Sequence, residues 1–245
     1  MGRGARDASS GNELLAYLAS PPKPSPSLNC CKRVARRMLP EASRFFAQRL
    51  LTRAMAPYQS RRARLLTRTA PLRLNLGSGI SPIRGWVNVD LAGHHPDLAW
   101  DLAVPIPLPG ESVDAIFCEH VLEHLQLQHA LALLRECHRL LTPNGAIRVG
   151  VPDAGAYLRA YACADLDAEF LEQVRPERPT KLLAIREVFQ EYGHCSAYDF
   201  ETLALFLETT GFTSIRQRSF GDSLIQPCPD GAHRRDETLY VEAVK

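Results

Sequence analysis

From Leu72 onward the apolar positions fall into short runs, and the period of the pattern switches between two and about 3.6 residues. "LRLNL" (72–76), "WVNVD" (86–90) and "VDAIFCEH" (113–120) read as strands, with "DLAWDL" (97–102) as a short strand between the last two. In "QHALALLRECHRLL" the apolar residues Leu131, Leu133, Leu134, Cys137, Leu140 and Leu141 predict a helix buried on one side. "TPNG" reads as its end, and "AIRVGVP" (146–152) as a fifth strand. "YDFETLALFLETTG" predicts a helix closed by Gly211, and "FTSIRQRSF" and "TLYVEAVK" the last two strands. Residues 155–197, with breaks at Pro176 and Pro179, read as a helical insertion over one end of the sheet. Strands alternating with helices of this length predict an α/β fold with a doubly wound, mostly parallel sheet over residues 71–245.

The pattern upstream is different. Residues 1–28 close on "SPPKPSPS" and read as a disordered, proline-rich segment. Over 29–70, Phe45, Phe46, Leu50, Leu51 and Ala54 recur at helical spacing, with Arg44, Arg49 and Arg53 on other faces. Pro40 followed by Glu41 suits a helix start, and Pro57 stands near its end. This predicts an arm of one or two short basic helices leaning on the globule.

Charge sharpens that division. The net charge is +2, but residues 1–70 hold 14 Lys and Arg against 3 Asp and Glu, and the remainder holds 15 against 24. A basic arm of +11 is therefore joined to an acidic globule of −9. No apolar run approaches the ~18 residues of a membrane span. The N-terminus has no apolar core of signal-peptide type and carries Arg6 where myristoylation needs Ser or Thr. Seven cysteines without regular spacing point to free thiols in a reducing compartment, so a cytoplasmic protein is expected.

In sheets of this kind ligands bind outside the carboxyl ends of the strands. Gly77 and Gly79 follow the first strand, Asp90 ends the second, Asp101 nearly ends the third, Glu119 and His120 end the fourth, and Asp153 follows the fifth. Five consecutive strand ends thus carry turn or polar residues to one rim. The dinucleotide fingerprint fails here: Pro82 replaces its third glycine, and the acid follows Gly79 by 11 residues rather than about 20. "ISPIRG" is too short for a crossover helix that would anchor a pyrophosphate. A nucleoside ligand without phosphates fits better, with Asp90 accepting both ribose hydroxyls. A nicotinamide oxidoreductase is disfavoured on the same spacing.

These stretches, together with "WDLAVPIPLPGESVDAIFCEHVLEHL", "LRECHRLLTPNGAIRVGVPD", "GHCSAYDFETLALFLETTGF" and "ETLYVEAVK", resemble the ordered motifs of class I S-adenosylmethionine-dependent methyltransferases over residues 72–245. They are most similar to a bacterial branch often encoded near surface-polysaccharide genes. The resemblance implies a Rossmann-like, seven-stranded sheet whose last strand is antiparallel, and S-adenosylmethionine as cofactor. It places Gly77 and Gly79 along the methionine part, Asp90 on the ribose diol, Asp101 and Leu102 at the adenine edge, and Glu119 and His120 beside the sulfonium and the acceptor. Asn75 stands where the family usually has an acid near the cofactor amine, and the first helix is truncated.

The expected reaction is methyl transfer to a small molecule or glycan, with oxygen favoured as the acceptor atom. A hydroxyl acceptor calls for a general base, and His120, His124 and His194 are the candidates. No metal is expected: Cys118 and Glu119 alternate faces, and no paired-cysteine motif accompanies Cys118, His120, His124 and Cys137. The arm has three readings: a roof over the cofactor, an anionic membrane surface contacted through residues 29–68, or nucleic acid. Nucleic acid is disfavoured because the arm has no recognisable fold and no interleaved stacking aromatics. The rival functions are an RNA methyltransferase served by the arm, and a cofactor-binding, membrane-docked protein without turnover.

Overall fold

The structure, a computed structural model, describes residues 41–67, 72–91, 96–162 and 168–245. The expected disordered segment 1–28, and the arm up to residue 40, lie outside the described residues. The chain runs α1 (Glu41–Ala54), α2 (Ala56–Leu66), β1 (Leu72–Leu76), β2 (Val87–Asp90), β3 (Leu98–Ala99), β4 (Val113–Glu119), α3 (Leu127–Leu140), β5 (Leu141–Pro152), α4 (Ala154–Ala162), α5 (Ala168–Val174), α6 (Lys181–Gln190), α7 (Phe200–Thr209), β6 (Thr213–Arg218) and β7 (Thr238–Val244). The sheet order is β3-β2-β1-β4-β5-β7-β6. β1 to β5 pair in parallel, and β7 enters between β5 and β6 antiparallel to both. This is the Rossmann-like doubly wound sheet expected, and strand order reverses between β1 and β4.

The central strands are buried on both faces, so they read as nearly continuous apolar runs. Leu74, Leu76, Val89, Ile116, Ile147, Val149 and Val241 form the core with Leu133, Leu134 and Leu140 of α3 and Leu203 and Leu207 of α7. Side-chain caps start α7 and α6, where Asp199 Oδ1 accepts from Thr202 N and Thr180 Oγ1 from Leu183 N. The insertion has its own small core, with Tyr157 and Ala160 of α4 packed on Leu171, Ala184, Ile185 and Val188.

Three local expectations change. "TPNG" does not separate α3 from a later strand, because α3 runs directly into β5. Val113 pairs with Leu141 but Ala115 with Ala146, so the tetrapeptide is an outward bulge of β5. Asn144 there has φ +66°, and a Cβ on Gly145 would meet Thr142 O at 2.9 Å. The third strand shrinks to Leu98–Ala99, since Trp100 N reaches Asp90 O at 3.0 Å while Asp101 Oδ1 takes the amide of Ala103 at 3.1 Å. In the arm, Thr52, Gln59 and Ala63 are buried and Ala56 and Leu66 pack against the core, while Leu50 and Leu51 are exposed. No helix among the described residues is long and apolar enough to cross a membrane.

Candidate active site

The strand ends of β1, β2, β3 and β4 open on a cavity of about 660 Å3 at the point where strand order reverses. Its first wall is the glycine turn. Gly77 has φ +70° and donates its N–H to Val89 O at 2.8 Å, and a Cβ there would lie 2.2 Å from Val121 Cγ2. Only glycine fits this position. Gly79 N donates to Asp90 Oδ2 at 2.9 Å, so the carboxylate that ends β2 also fixes the turn after β1. Between the glycines, Ser78 Oγ is buried and meets no hydrogen-bond partner in the protein, a polar atom left for a ligand.

Asp101 and Leu102 form the opposite wall, beyond β3. Asp101 is buried, and Arg49 of α1 donates from Nε to its Oδ2 at 2.7 Å. Arg49 therefore lines the cavity from outside the sheet, a contribution the sequence pattern did not indicate. Asn75 lies elsewhere. Its amide donates to Asn88 Oδ1 at 3.0 Å and Ser81 O at 3.3 Å, and it borders a smaller neighbouring cavity of about 210 Å3. It braces the glycine loop from behind.

At the end of β4, Glu119 borders both cavities. Its Oε1 accepts from Tyr240 OH at 3.1 Å and from Gly231 N at 3.3 Å. Burial pushes the Glu119 carboxyl up, against the opposing pull of the Gly231 amide, His120 and Tyr240. His120 has φ +52°, an uncommon conformation for a residue with a side chain, and sits where the strand turns into the short 3-10 turn Leu122–His124.

The three candidate histidines occupy different settings. His120 Nε2 lies 2.9 Å from Thr238 Oγ1, whose single proton goes to Arg234 O at 2.6 Å, so the ring donates there. His120 Nδ1 lies 3.0 Å from Glu123 Oε1. Both ring nitrogens therefore face protein groups, Thr238 on one side and Glu123 on the other. His194 Nδ1 lies 2.5 Å from Val188 O, and the ring packs edge-on against His124 with centroids 4.8 Å apart. It supports its neighbour and does not line the cavity. His124 does line it, with its side chain 37% exposed. Burial lowers its pKa from the usual histidine value; Glu123 opposes this and His194 adds to it.

Glu123 joins the three. It is almost wholly buried, with Oε1 at 3.0 Å from His120 Nδ1 and 4.0 Å from His124 Nε2. Neither oxygen makes a well-aligned hydrogen bond. Burial pushes this carboxyl up, but the adjacent His120, with His124 behind it, holds it below the usual range. Glu123, His124 and His194 bring ligand-type atoms within 4.8 Å of one another. The loop that carries His194 is clasped to this turn, with Cys195 N and Ser196 N both donating to Glu123 O at 2.7 and 3.1 Å. Tyr192 and Cys195 of that loop, His129 of α3, and His233 and Arg234 before β7 complete the wall. Asp153, the acid after β5, is a helix cap, its Oδ1 accepting from Ala156 N at 2.8 Å.

The sequence profile of the methyltransferase domain family matches residues 35–217, well over half of the chain. The protein belongs to the methyltransferase domain family. No curated protein sequence matches it. Among solved structures it is similar to a SAM-dependent methyltransferase from Archaeoglobus fulgidus (15% identity, 81% of this chain and 94% of that one, TM-score 0.43). It is similar also to an S-adenosylmethionine-dependent methyltransferase from Mesorhizobium loti (20%, 71% and 90%, TM-score 0.42). A third is the Burkholderia thailandensis 1,6-didemethyltoxoflavin-N1-methyltransferase, solved with its substrate and S-adenosylhomocysteine (14%, 91% and 93%, TM-score 0.45).

Proposed function

We propose that the protein transfers a methyl group from S-adenosylmethionine to a hydroxyl of a small molecule or glycan, with His124 as general base. The observation that carries the cofactor reading is the Asp90 carboxylate, bound back to Gly79 at the mouth of a cavity of nucleoside size. The orphaned Ser78 hydroxyl and the buried Asp101 carboxylate fit the same ligand, since both are polar groups in the cavity wall. Gly77 and Gly79 would pass along the methionine part, Asp90 would take the ribose diol, and Asp101 with Leu102 would border the adenine. Glu119, which stands at the strand end where Asn75 does not reach, would face the amine. When bound, the cofactor supplies an activated methyl on its sulfonium and departs as the thioether.

The chain's own task is to align the acceptor and remove its proton. His124 Nε2 takes the hydroxyl proton as the oxygen becomes a nucleophile, and the imidazolium that results gains the Glu123 carboxylate at 4.0 Å. A base kept neutral by burial is suited to work near pH 7. His194 holds the ring edge-on, and Tyr192 and Cys195 shape the acceptor side of the cavity.

Calorimetric titration with S-adenosylmethionine and S-adenosylhomocysteine tests the cofactor reading. Asp90→Asn keeps an oxygen for Gly79 N but removes the anion, and should weaken binding at least about ten-fold, as expected for hydrogen bonds to a charged group. Folded wild-type protein that binds neither compound refutes the reading. Radiolabel transfer onto a panel of glycan and small hydroxyl acceptors then tests the acceptor class.

A further inference from the structure

We infer that α1 and α2 form a docking surface for an anionic lipid bilayer, so that the protein works as a peripheral membrane protein. A helix that leans on a domain normally buries its apolar stripe and exposes its polar face. Here most of the large apolar side chains face outward. The domain side carries buried Thr52, Gln59 and Ala63, with Ala56 and Leu66 half-buried against the core, while Leu50 (52% exposed), Leu51 (64%), Met55, Tyr58 and Leu65 stand in solvent. Arg53, Arg61, Arg62 and Arg64 are exposed among them. From residue 42 to residue 66 the chain has six arginines and neither Asp nor Glu.

Each half of this pattern narrows the occupant. Apolar side chains of this size gain little from nucleic acid phosphates. A partner protein would suit the leucines but gives no reason for an unbroken absence of acids. Leucine, methionine and tyrosine set among arginines match the boundary of headgroup and acyl chain, where the cations meet anionic lipid and the apolar groups leave water. Arg49, on the same helix as Leu50 and Leu51, is tied to Asp101 at the cavity wall. A bilayer on this surface would therefore lie beside the cavity wall.

The test is co-sedimentation of the full chain with vesicles of phosphatidylcholine alone and with added phosphatidylglycerol, across a salt series. The expected result is binding to the anionic vesicles that weakens with salt and falls at least about ten-fold in a Leu51→Ser, Leu65→Ser double variant. Both positions are exposed, so the variant should keep its far-UV spectrum and its affinity for S-adenosylhomocysteine. Absence of vesicle binding overturns the inference, as does equal binding by the variant. Self-association of the wild type that the variant abolishes, without vesicle binding, would assign the face to a second copy instead. Salt-sensitive RNA binding without vesicle binding would overturn it in favour of nucleic acid.

Discussion

Two groups of buried charge sit on either side of Glu119, and they are built on opposite principles. On one side Arg148, fully buried in β5, meets Asp230 through Nε at 2.5 Å and Nη2 at 2.6 Å, and Glu242 through Nη1 at 3.1 Å. It also donates to the carbonyls of Asp222 and Ser219, and its guanidinium lies 4.7 Å from the Tyr240 ring centroid. Every donor direction is used. On the other side Glu123 is as deeply buried, yet neither oxygen has an aligned donor, and both of its histidine neighbours line the cavity. Saturated charge fixes a chain; unsaturated charge at a cavity wall retains the capacity to exchange a proton. Burial alone does not distinguish the two groups. The count of satisfied partners does.

The largest expected effect belongs to the saturated group. Arg148 holds the 219–230 segment and supports Tyr240, which in turn holds Glu119. Removing it leaves Asp230 buried without its cation and Glu242 with Arg218 alone. Arg148→Met should cost about 3–5 kcal/mol of folding stability, read by urea denaturation. A loss below about 1 kcal/mol would show that the segment is held by something else, and the contrast would fail.

The second group should respond the other way, in turnover before stability. On the proposed role of His124 as base, His124→Asn should lower kcat by about 10²–10⁴ while leaving S-adenosylhomocysteine affinity within about two-fold. His194→Ala should reduce kcat less, acting only through the orientation of His124. A His124→Asn variant with unchanged kcat would remove the base assignment.

This division marks how far the sequence could be read. Gly77, Gly79, Asp90, Asp101 and Glu119 were recognisable because each stands at the end of an apolar run, where topology alone brings it to the rim. The i,i+3 spacing of His120 and Glu123 did not indicate which ring would be clamped. Thr238, from a strand 118 positions away, decides that. Arg49, Tyr192, Cys195, His233 and Arg234 come from the arm and from connecting segments, whose paths no periodicity specifies. Leu50 and Leu51 have the right period for a helix, but period says nothing about which face meets the domain.

Acidity provides a third and smaller separation. The folded pKa of Glu123 is depressed, so its contribution to stability is present above its unfolded value and is lost as pH falls through the folded one. Glu123→Gln should remove that part of the acid dependence of unfolding. The folded pKa of His124 is also depressed, so protonation favours the unfolded chain, and stability should decline as pH drops below about 6.5. In kcat/KM the same residue should give an acid limb below that value. A limb unchanged in position in His124→Gln would assign it to another group.

The weakest effect should come from Arg49, and its sign carries information. Asp101 is nearly inaccessible whereas Arg49 is 40% exposed, so the pair is half screened by solvent and is worth about 1 kcal/mol or less. Two roles are open to such a pair at a cavity wall. Arg49 can neutralise a buried carboxylate and hold it in place for a ligand, or it can compete with that ligand for the same oxygen. Asp101 also caps Ala103 through its other oxygen, so the carboxylate already has a fixed orientation, and loss of the cation would leave it buried with less compensation. Arg49→Gln should therefore weaken S-adenosylhomocysteine binding by no more than about five-fold, with a smaller salt dependence of binding than the wild type. Tighter binding by the variant would instead make the arm a competitor for the nucleoside.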